Sequence, residues 1–196
     1  NQTAAALELL RRTAVERGWL LSFDAGEVEK HGLQQADGLV LGEPPAGDVG
    51  LCIALGGDGT ILRGLRLYAR TGVPVFAVNF GEVGFLATID PDEVGEGFAR
   101  ALDGDFDVLR LPALEIDVPS GVKTAINDVS FHRKVGGRVA TLAYGVDGQE
   151  VGSVRCDGVV VATPAGSTGY NLANGGPVMA WGLEGYVVSF IAPHSL

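Results

Sequence analysis

The spacing of apolar residues changes several times along the first half of the chain. Residues 4–18 and 61–70 carry apolar positions at helical spacing, and four short apolar runs between and after them have the length of buried strands. Those strand-like runs are 19–23, 37–42, 49–55 and 73–80. The segment "DPDEVGEGFARAL" predicts another helix, capped by Asp90 or Asp92. Such alternation predicts a parallel sheet with helices on its faces.

Strands dominate the second half. The predicted strand regions are 108–118, 124–133, 139–148, 150–158 and 159–164, with a tight turn at Asp147-Gly148. We therefore predict an α/β fold in which a Rossmann-like open parallel sheet with helices is followed by a β-rich C-terminal domain. The expected domains are residues 1–105, which carry the "GGDGT" turn, and residues 106–196.

Composition narrows the possible functions. The chain has 196 residues, 46% of them hydrophobic, without an apolar run of membrane-spanning length, so no membrane partner is expected. A net charge of −10 argues against a nucleic-acid partner, because that affinity depends on Lys and Arg neutralising phosphates. A small phosphorylated ligand stays possible, since backbone N–H groups and magnesium can supply local positive potential.

The cysteines and the N-terminus suggest the cellular compartment. Cys52 and Cys156 lie in strand-like runs, and neither has Cys or His at metal-ligand spacing, which favours two reduced thiols. No secretory signal is visible at the start. We expect a cytoplasmic protein, and we assign no residue as a metal ligand.

The first candidate for chemistry is "LGGDGT", residues 55–60, where a strand gives way to a helix. Glycines at 56, 57 and 59 allow the backbone to approach a phosphate at the carboxyl end of a parallel sheet. Asp58 would repel that anion, so its presence suggests that it binds magnesium or accepts a proton from an attacking hydroxyl. The alternative is a plain tight turn in which Asp58 or Thr60 caps the helix.

The second candidate is "DGVVVATPAGSTGYNLANGGP", residues 157–177. A strand runs into Pro164 and then into Gly166-Ser167-Thr168-Gly169, whose hydroxyls and flexible backbone can surround polar groups. Tyr170 can stack on a base, and nearby amides can bind it. An ordinary loop with a Ser or Thr helix cap remains the alternative.

These segments together resemble a known family. "GGDGT", "NFGEVGFLA", "AINDV", "CDGVVVATPAGSTGYNLANGGPV" and "IAPHSL" look like the signature motifs of the NAD kinase family, in the family's order. The resemblance covers residues 50–196. It implies transfer of a phosphoryl group from ATP, or from polyphosphate in some members, to the 2′-hydroxyl of the adenosine ribose of NAD, which gives NADP.

The resemblance also implies roles for individual residues. Asp58 matches the essential acid beside the ribose hydroxyl. The residues expected to bind the nucleotides are Gly57, Gly59, Thr60, Phe85, Asn127, Asp128, Asp157, Thr163, Ser167, Thr168 and Tyr170. Phe85 would lie on the adenine side, and Asp157 would contact the nicotinamide side, from a neighbouring subunit in oligomers. Magnesium would accompany the substrates ATP and NAD, and a homodimer or homotetramer is expected.

Some positions depart from the family pattern. Ala165, Gly169 and the pair Ala173-Asn174 replace the more common Thr, Ala and Ser-Ala. The chain lacks the family's usual first strand and stops where members continue, so the second domain is expected to be incomplete. Two alternatives therefore stay open: a catalytically weak sensor module that binds NAD or NADP, and a related lipid-type kinase.

Overall fold

A computed structural model of the chain describes residues 2–43, 48–81 and 86–194. The chain divides into two compact units, Asn1–Val108 and Leu109–Leu196. Paired strands run parallel in the first unit and antiparallel in the second. This confirms the predicted fold class, an α/β region followed by a β-rich region.

The N-terminal unit alternates helices with short parallel strands. Its elements are α1 (Gln2–Glu16), β1 (Leu21–Phe23), α2 (Ala25–His31), β2 (Leu39–Leu41), β3 (Cys52–Gly56), α3 (Asp58–Leu67), β4 (Val75–Asn79), a 3₁₀ turn (Pro91–Glu93) and α4 (Val94–Asp103). Strand β1 pairs with β2, and β3 pairs with β4. Residues 52–56 therefore lie beside residues 75–79, and both strands end at the same edge.

The core of this unit lies between two helices and strand β4. Helix α1 contributes Ala6, Leu10 and Ala14, which recur every four residues and so share one face. Strand β4 contributes Phe76, whose ring lies 6.4 Å from that of Phe98 in α4. Burying this apolar surface holds β4, and with it the end of β3, in a fixed position.

The helix predicted from Asp90 onward begins as the 3₁₀ turn Pro91–Glu93, which leads directly into α4. Asp90 and Glu93 form a capping box, in which the Glu93 carboxylate accepts the Asp90 N–H at 3.1 Å. Asp90, rather than Asp92, thus caps the 3₁₀ turn, while the N-cap position of α4 itself is Glu93. Gly104 ends the helix with a φ of 76°, a left-handed conformation that glycine adopts without strain.

The C-terminal unit is built from antiparallel pairs. Its elements are β5 (Leu114–Val118), β6 (Gly121–Ala125), β7 (Asp128–His132), β8 (Ala140–Val146), β9 (Gln149–Cys156), β10 (Gly158–Ala162), a 3₁₀ turn (Ala165–Thr168), α5 (Tyr170–Ala173) and β11 (Val187–Ile191). Strand β10 lies between β11 and β7, while β5 pairs with β6 and β8 with β9. The turn between β8 and β9 is Asp147-Gly148, with φ values of 51° and 77°, as the sequence predicts.

Helix α2 and strand β11 are among the elements that were not expected from the sequence, and the strand predicted over 124–133 is divided between β6 and β7. Helix α2 has seven residues and buries none of them, so it has no apolar periodicity to reveal it. Strand β11 completes the three-stranded sheet beside β10. Across the described ranges, none of the helices has the length and apolar character needed to cross a membrane.

Candidate functional site

The glycine-rich turn of the N-terminal unit joins β3 directly to α3. Gly56 is the last residue of β3, Gly57 is the N-cap with φ −88° and ψ −177°, and Asp58 is the first helical residue. Gly57 supplies no side-chain cap, and its carbonyl accepts the Thr60 N–H at 2.9 Å. Neither Asp58 nor Thr60 is the N-cap, so the alternative in which one of them serves only to cap the helix is wrong.

The backbone of this turn lies against the loop that follows β4. A Cβ built on Gly81 would lie 3.3 Å from the Cα of Gly57, so a side chain there would be tight. Asn79 holds the loop in place, since its Oδ1 accepts the Gly81 N–H at 2.9 Å. The first N–H groups of a helix have no partner within the helix, and they carry its positive dipole end. This edge of the β3–β4 pair is therefore suited to an anion that bare backbone can approach closely.

Asp58 lies in the first turn of α3 and is partly buried. Its Oδ1 accepts the backbone N–H of Leu86 at 3.3 Å, which fixes the position of the carboxyl group relative to the segment after β4. An acidic group is also stabilised by the helix N-terminus. The carboxyl group is thus held in a defined place beside the anion-binding edge, at a site that solvent still reaches.

The remaining residues of the turn face outward. Gly59 and Thr60 are exposed, and a Cβ on Gly59 would meet nothing within 4 Å. Gly56 lies under Thr60, because a Cβ at 56 would approach the Thr60 Oγ1 to 2.6 Å. Phe85, predicted on the adenine side, lies outside the described residues.

In the C-terminal unit, the Asn-Asp motif lies directly against the loop that follows β10. The Asn127 carbonyl accepts the Thr163 N–H at 2.8 Å, and Asp128 opens β7, paired with Ala162. Gly166 is packed so closely on the backbone of Asn127 that any Cβ would collide with it. The fold therefore brings together two motifs that are more than thirty residues apart in sequence.

Two of the predicted ligand hydroxyls are buried in this loop and bonded within the chain. Thr163 Oγ1 donates to the Ile126 carbonyl at 2.7 Å and accepts the Gly166 N–H at 3.1 Å. Ser167 Oγ donates to the Pro164 carbonyl at 2.7 Å and accepts the Met179 N–H at 2.9 Å. Both side chains are almost completely buried, so these hydroxyls hold the loop in shape.

Two amide oxygens in the same region are buried without a protein partner among the described residues. They are the Oδ1 atoms of Asn127 and Asn171. The Asn171 Nδ2 donates to the carbonyls of Ser167 and Pro177, at 3.0 and 2.8 Å, which fixes its orientation. An unsatisfied buried acceptor is costly unless a ligand or water donates to it, and Asn127 carries such an acceptor at the predicted binding position.

Thr168 and Tyr170 are the more exposed members of the predicted set. Thr168 is partly buried and its hydroxyl donates to the Ala165 carbonyl at 3.3 Å, while 39% of Tyr170 is exposed. The Tyr170 ring stacks on that of His132, with centroids 5.9 Å apart and planes 19° apart. His132 could not be selected from the sequence, because its partner is 38 positions away and only the fold brings the two together.

Asp157 occupies a different place in this unit. It precedes β10, at the opposite end of that strand from Thr163. Its Oδ1 accepts from the Arg133 Nε at 2.7 Å and lies 4.0 Å from the His194 Nε2. The carboxylate is about one-third exposed, so a ligand or a neighbouring subunit can still reach it.

Arg63 on helix α3 is paired with two acidic side chains and is therefore not an isolated cation for phosphate. Arg63 bridges to α2, where its guanidinium nitrogens lie 2.8 Å from Asp24 and 2.6 Å from Glu27. The backbone N–H of Glu27, followed by Arg63, holds the pKa of Asp24 below its ordinary value. Arg63 thus ties α3 to α2.

In the parts of the chain that the structure covers, no three His, Cys, Asp or Glu side chains lie close enough to hold a metal. Two grooves of about 520 and 510 Å³ in the N-terminal unit are lined largely by α1 and the segments packed on it. None of the predicted site residues that the structure describes lines either groove.

Family models match both units. Residues 41–106 match the ATP-NAD kinase N-terminal domain, and residues 126–196 match the ATP-NAD kinase C-terminal domain. Among curated proteins, NAD kinase from Azotobacter vinelandii is 36% identical over 204 aligned residues, which cover 100% of this chain and 68% of that protein. NAD kinase from Gemmatimonas aurantiaca is 39% identical over 150 residues, covering 74% of this chain and 52% of that protein.

Solved structures give the same result. The chain resembles yeast NADH kinase complexed with NADH, with a TM-score of 0.80 and 25% identity, covering 100% of this chain and 63% of that one. An NAD kinase from Archaeoglobus fulgidus in complex with ATP matches with a TM-score of 0.67 and 32% identity, covering 87% and 67%. The chain spans roughly half to two-thirds of the length of these relatives. By its sequence, its motifs and its fold, the chain belongs to the NAD kinase family.

Proposed function

We propose that this chain belongs to an enzyme that transfers a phosphoryl group from ATP, or from polyphosphate, to the 2′-hydroxyl of the adenosine ribose of NAD. The proposal rests first on family membership, since the relatives are NAD kinases and the structural neighbours hold NADH or ATP. The observation that carries it is the position of Asp58 beside the glycine edge of Gly57 and Gly81. A sensor module and a lipid-type kinase are not favoured, because these relatives are kinases of NAD.

Asp58 acts as the general base in this proposal. Phosphoryl transfer requires that the nucleophile and the leaving group lie in line with the phosphorus atom. It also requires that the negative charge on the phosphoryl oxygens is neutralised. The Asp58 carboxyl group accepts the proton of the ribose hydroxyl as its oxygen attacks the γ-phosphorus of ATP. The bond between that phosphorus and its bridging oxygen breaks, and the products are NADP and ADP.

The edge at Gly57 and Gly81 holds the donor phosphates. Backbone N–H groups at the start of α3 face the anion, and the glycines let it come close. Magnesium fits this donor set as an ion that enters with ATP, because such ions are commonly held by one or two carboxylates together with substrate phosphates. When bound, it would neutralise phosphate charge, and Asp58 is the carboxylate that could touch it.

The C-terminal unit binds the dinucleotide in this account. The buried Asn127 Oδ1 accepts a hydrogen bond from the ligand, and Asp128 beside it accepts from a ribose hydroxyl. Tyr170 stacks on a base of the ligand, and Thr168 lies at the edge of that base. The buried hydroxyls of Thr163 and Ser167 keep the loop in shape. We assign Asp157, with Arg133, to the nicotinamide side of a ligand bound by a neighbouring subunit.

We also propose a cytoplasmic homodimer or homotetramer that acts on small nucleotides. The charge of −10 supports the absence of a nucleic-acid partner. The two cysteines are free thiols in the structure, which is compatible with a reducing compartment. Sedimentation of the purified protein would give the number of subunits.

The experiment that tests the proposal is an assay for NADP from NAD, run with ATP and magnesium and then with polyphosphate. Formation of NADP and ADP in equal amounts supports the kinase. Tight binding of NAD without turnover on either donor would instead support a sensor. Phosphorylation of a diacylglycerol or sphingoid base, with NAD untouched, would support the lipid-type kinase.

A further inference from the structure

His132 lies at the end of a row of side chains on one face of β7. Residues two apart in a strand point to the same side, so Asp128, Ser130 and His132 share this face. The Asp128 carboxylate lies close to Gly169, since a Cβ built there would be 3.5 Å from its Oδ2. At the other end, His132 stacks on Tyr170. The side chains on this face of β7 thus lie along residues 169–170.

The His132 ring is itself oriented by a neighbour. Its Nε2 lies 3.1 Å from the Ser130 Oγ, within hydrogen-bonding distance, and either tautomer can make this bond because a hydroxyl both donates and accepts. Gly158 faces His132 across the ladder and has no side chain that could cover it. The histidine side chain is itself exposed, and the bond to Ser130 and the stack on Tyr170 are the contacts that orient its ring.

Tyr170 is a partly exposed aromatic residue, and the stack on His132 is one contact that restrains its ring. It begins the four-residue helix α5, and 39% of it is exposed. An exposed aromatic side chain loses rotational freedom when a ligand stacks on it, and this entropy loss weakens binding. A stacked neighbour that restricts the ring in advance removes part of that cost.

From this geometry we infer that His132 is a positioning residue: it holds the Tyr170 ring ready for an adenine or nicotinamide base to stack on the face opposite His132. The inference rests on the proposed function, because it assigns His132 to the dinucleotide side of that site. Since His132 lies against one face of the tyrosine ring, the base uses the other. His132 touches neither the donor phosphates nor the attacking hydroxyl in this account, so it acts on binding of NAD alone.

Kinetics of the full chain test the inference. His132→Ala should raise the KM for NAD about three- to tenfold, the range expected for a lost aromatic pair, and leave kcat and the KM for ATP near wild type. His132→Phe should restore most of the affinity, since it keeps a flat ring against Tyr170. The inference would be overturned if His132→Ala lowered kcat and raised the KM for ATP as much as it raises the KM for NAD. It would also be overturned if His132→Phe did not restore the affinity for NAD.

A double-mutant cycle separates positioning from general damage. If His132 acts through Tyr170, His132→Ala should have no further effect on the KM for NAD once Tyr170 is alanine. Additive effects would contradict this. His31→Ala, which removes a histidine of the N-terminal unit paired with Glu27, serves as the control and should change neither constant.

A measurement on the ring itself keeps this inference distinct from the proposed function. Stacking shifts the aromatic NMR signals of Tyr170, which Tyr170→Phe identifies among the four tyrosines. His132→Ala should move these signals toward those of a free tyrosine, and His132→Phe should not. If the signals respond in this way but no NADP is formed, the proposed function fails while the stacked pair stands. Unchanged signals in His132→Ala would refute the pair directly.

Discussion

The two glycine-rich segments use similar residues in opposite ways. In the N-terminal unit, the end of the turn is open: Gly59 and Thr60 are exposed, and a Cβ at 59 would meet nothing within 4 Å. In the C-terminal unit, Gly166 and Ser167 are buried, and each is committed to contacts within the chain. The first segment presents its backbone outward, whereas the second uses glycine and hydroxyl groups to build a support.

This difference shows why a motif does not by itself identify ligand contacts. A Ser or Thr in a glycine-rich loop can bind a ligand or satisfy the chain's own carbonyl groups. The decisive quantity is burial together with the hydrogen bonds already made. By that measure Thr163 and Ser167 belong to the support, while Asn127 and Tyr170 keep groups that a ligand can use.

The largest expected effect is the difference in stability between a glycine-to-alanine substitution in each of the two segments. Gly166→Ala places a methyl group against the Asn127 backbone, and the Thr163 N–H bond to the Asn127 carbonyl opposes any retreat. We expect a loss of about 3 kcal/mol or more in the free energy of unfolding, as overpacking against backbone allows. Gly59→Ala, in open space in a helix, should leave stability unchanged or raise it by up to about 1 kcal/mol.

Denaturant unfolding of both variants measures the change in the free energy of unfolding that each substitution causes. The comparison of the two segments fails if Gly59→Ala destabilises as much as Gly166→Ala does. Circular dichroism before unfolding verifies that each variant begins folded.

The next largest effect is the difference in stability when one hydroxyl group is removed from each segment. Ser167→Ala removes the acceptor of the buried Met179 N–H and one of the two donors to the Pro164 carbonyl, which should cost about 1–3 kcal/mol of unfolding free energy. Thr60→Ala removes an exposed hydroxyl and should cost less than about 0.5 kcal/mol. Thermal or urea unfolding compares them, and equal losses would show that the two hydroxyls do not differ in role.

A smaller effect depends on pH and belongs to the N-terminal unit. Burial raises the pKa of Cys52 from 9.0 to about 11. The unfolded thiol ionises from about pH 9 and the folded thiol only near pH 11, so ionisation favours the unfolded state between these values. The free energy of unfolding should fall over this window and then level off. The upper bound is about 2–3 kcal/mol, and the expected fall is smaller because the thiol is partly exposed.

Fluorescence can follow this unit separately, because Trp19 lies in the N-terminal unit and Trp181 in the C-terminal unit. In a Trp181→Phe background, Trp19 should report lower stability at pH 10.5 than at pH 8. Adding Cys52→Ala should reduce that difference. An identical fall with and without Cys52 would assign the pH dependence to other groups.

Much of the fold could be predicted from local sequence. The capping box at Asp90 and Glu93, the Asp147-Gly148 turn and the strand before Gly56 all depend on residues close together in the chain. Helix α2 could not be predicted because it buries no residue. Its ends are fixed by Asp24 and Gly32 rather than by an apolar face.

The site was predictable in part and for a similar reason. The motifs named Asp58, Asn127 and Tyr170, but they could not show that the Ser167 hydroxyl faces inward. That depends on the distant Met179 N–H. The pairing of His132 with Tyr170 likewise depends on the way the loop after β10 folds back over β7.

The central claim is that Asp58 accepts the proton of the ribose hydroxyl, and Asp58→Asn tests it most directly. The amide keeps the shape and can still accept the Leu86 N–H, but it cannot take up the proton. NADP formation should fall by about 10²- to 10⁴-fold while NAD binding stays near wild type, and Asp107→Asn, an exposed acid of the same unit, should leave both unchanged. A folded Asp58→Asn protein that turns over at nearly the wild-type rate would contradict the account.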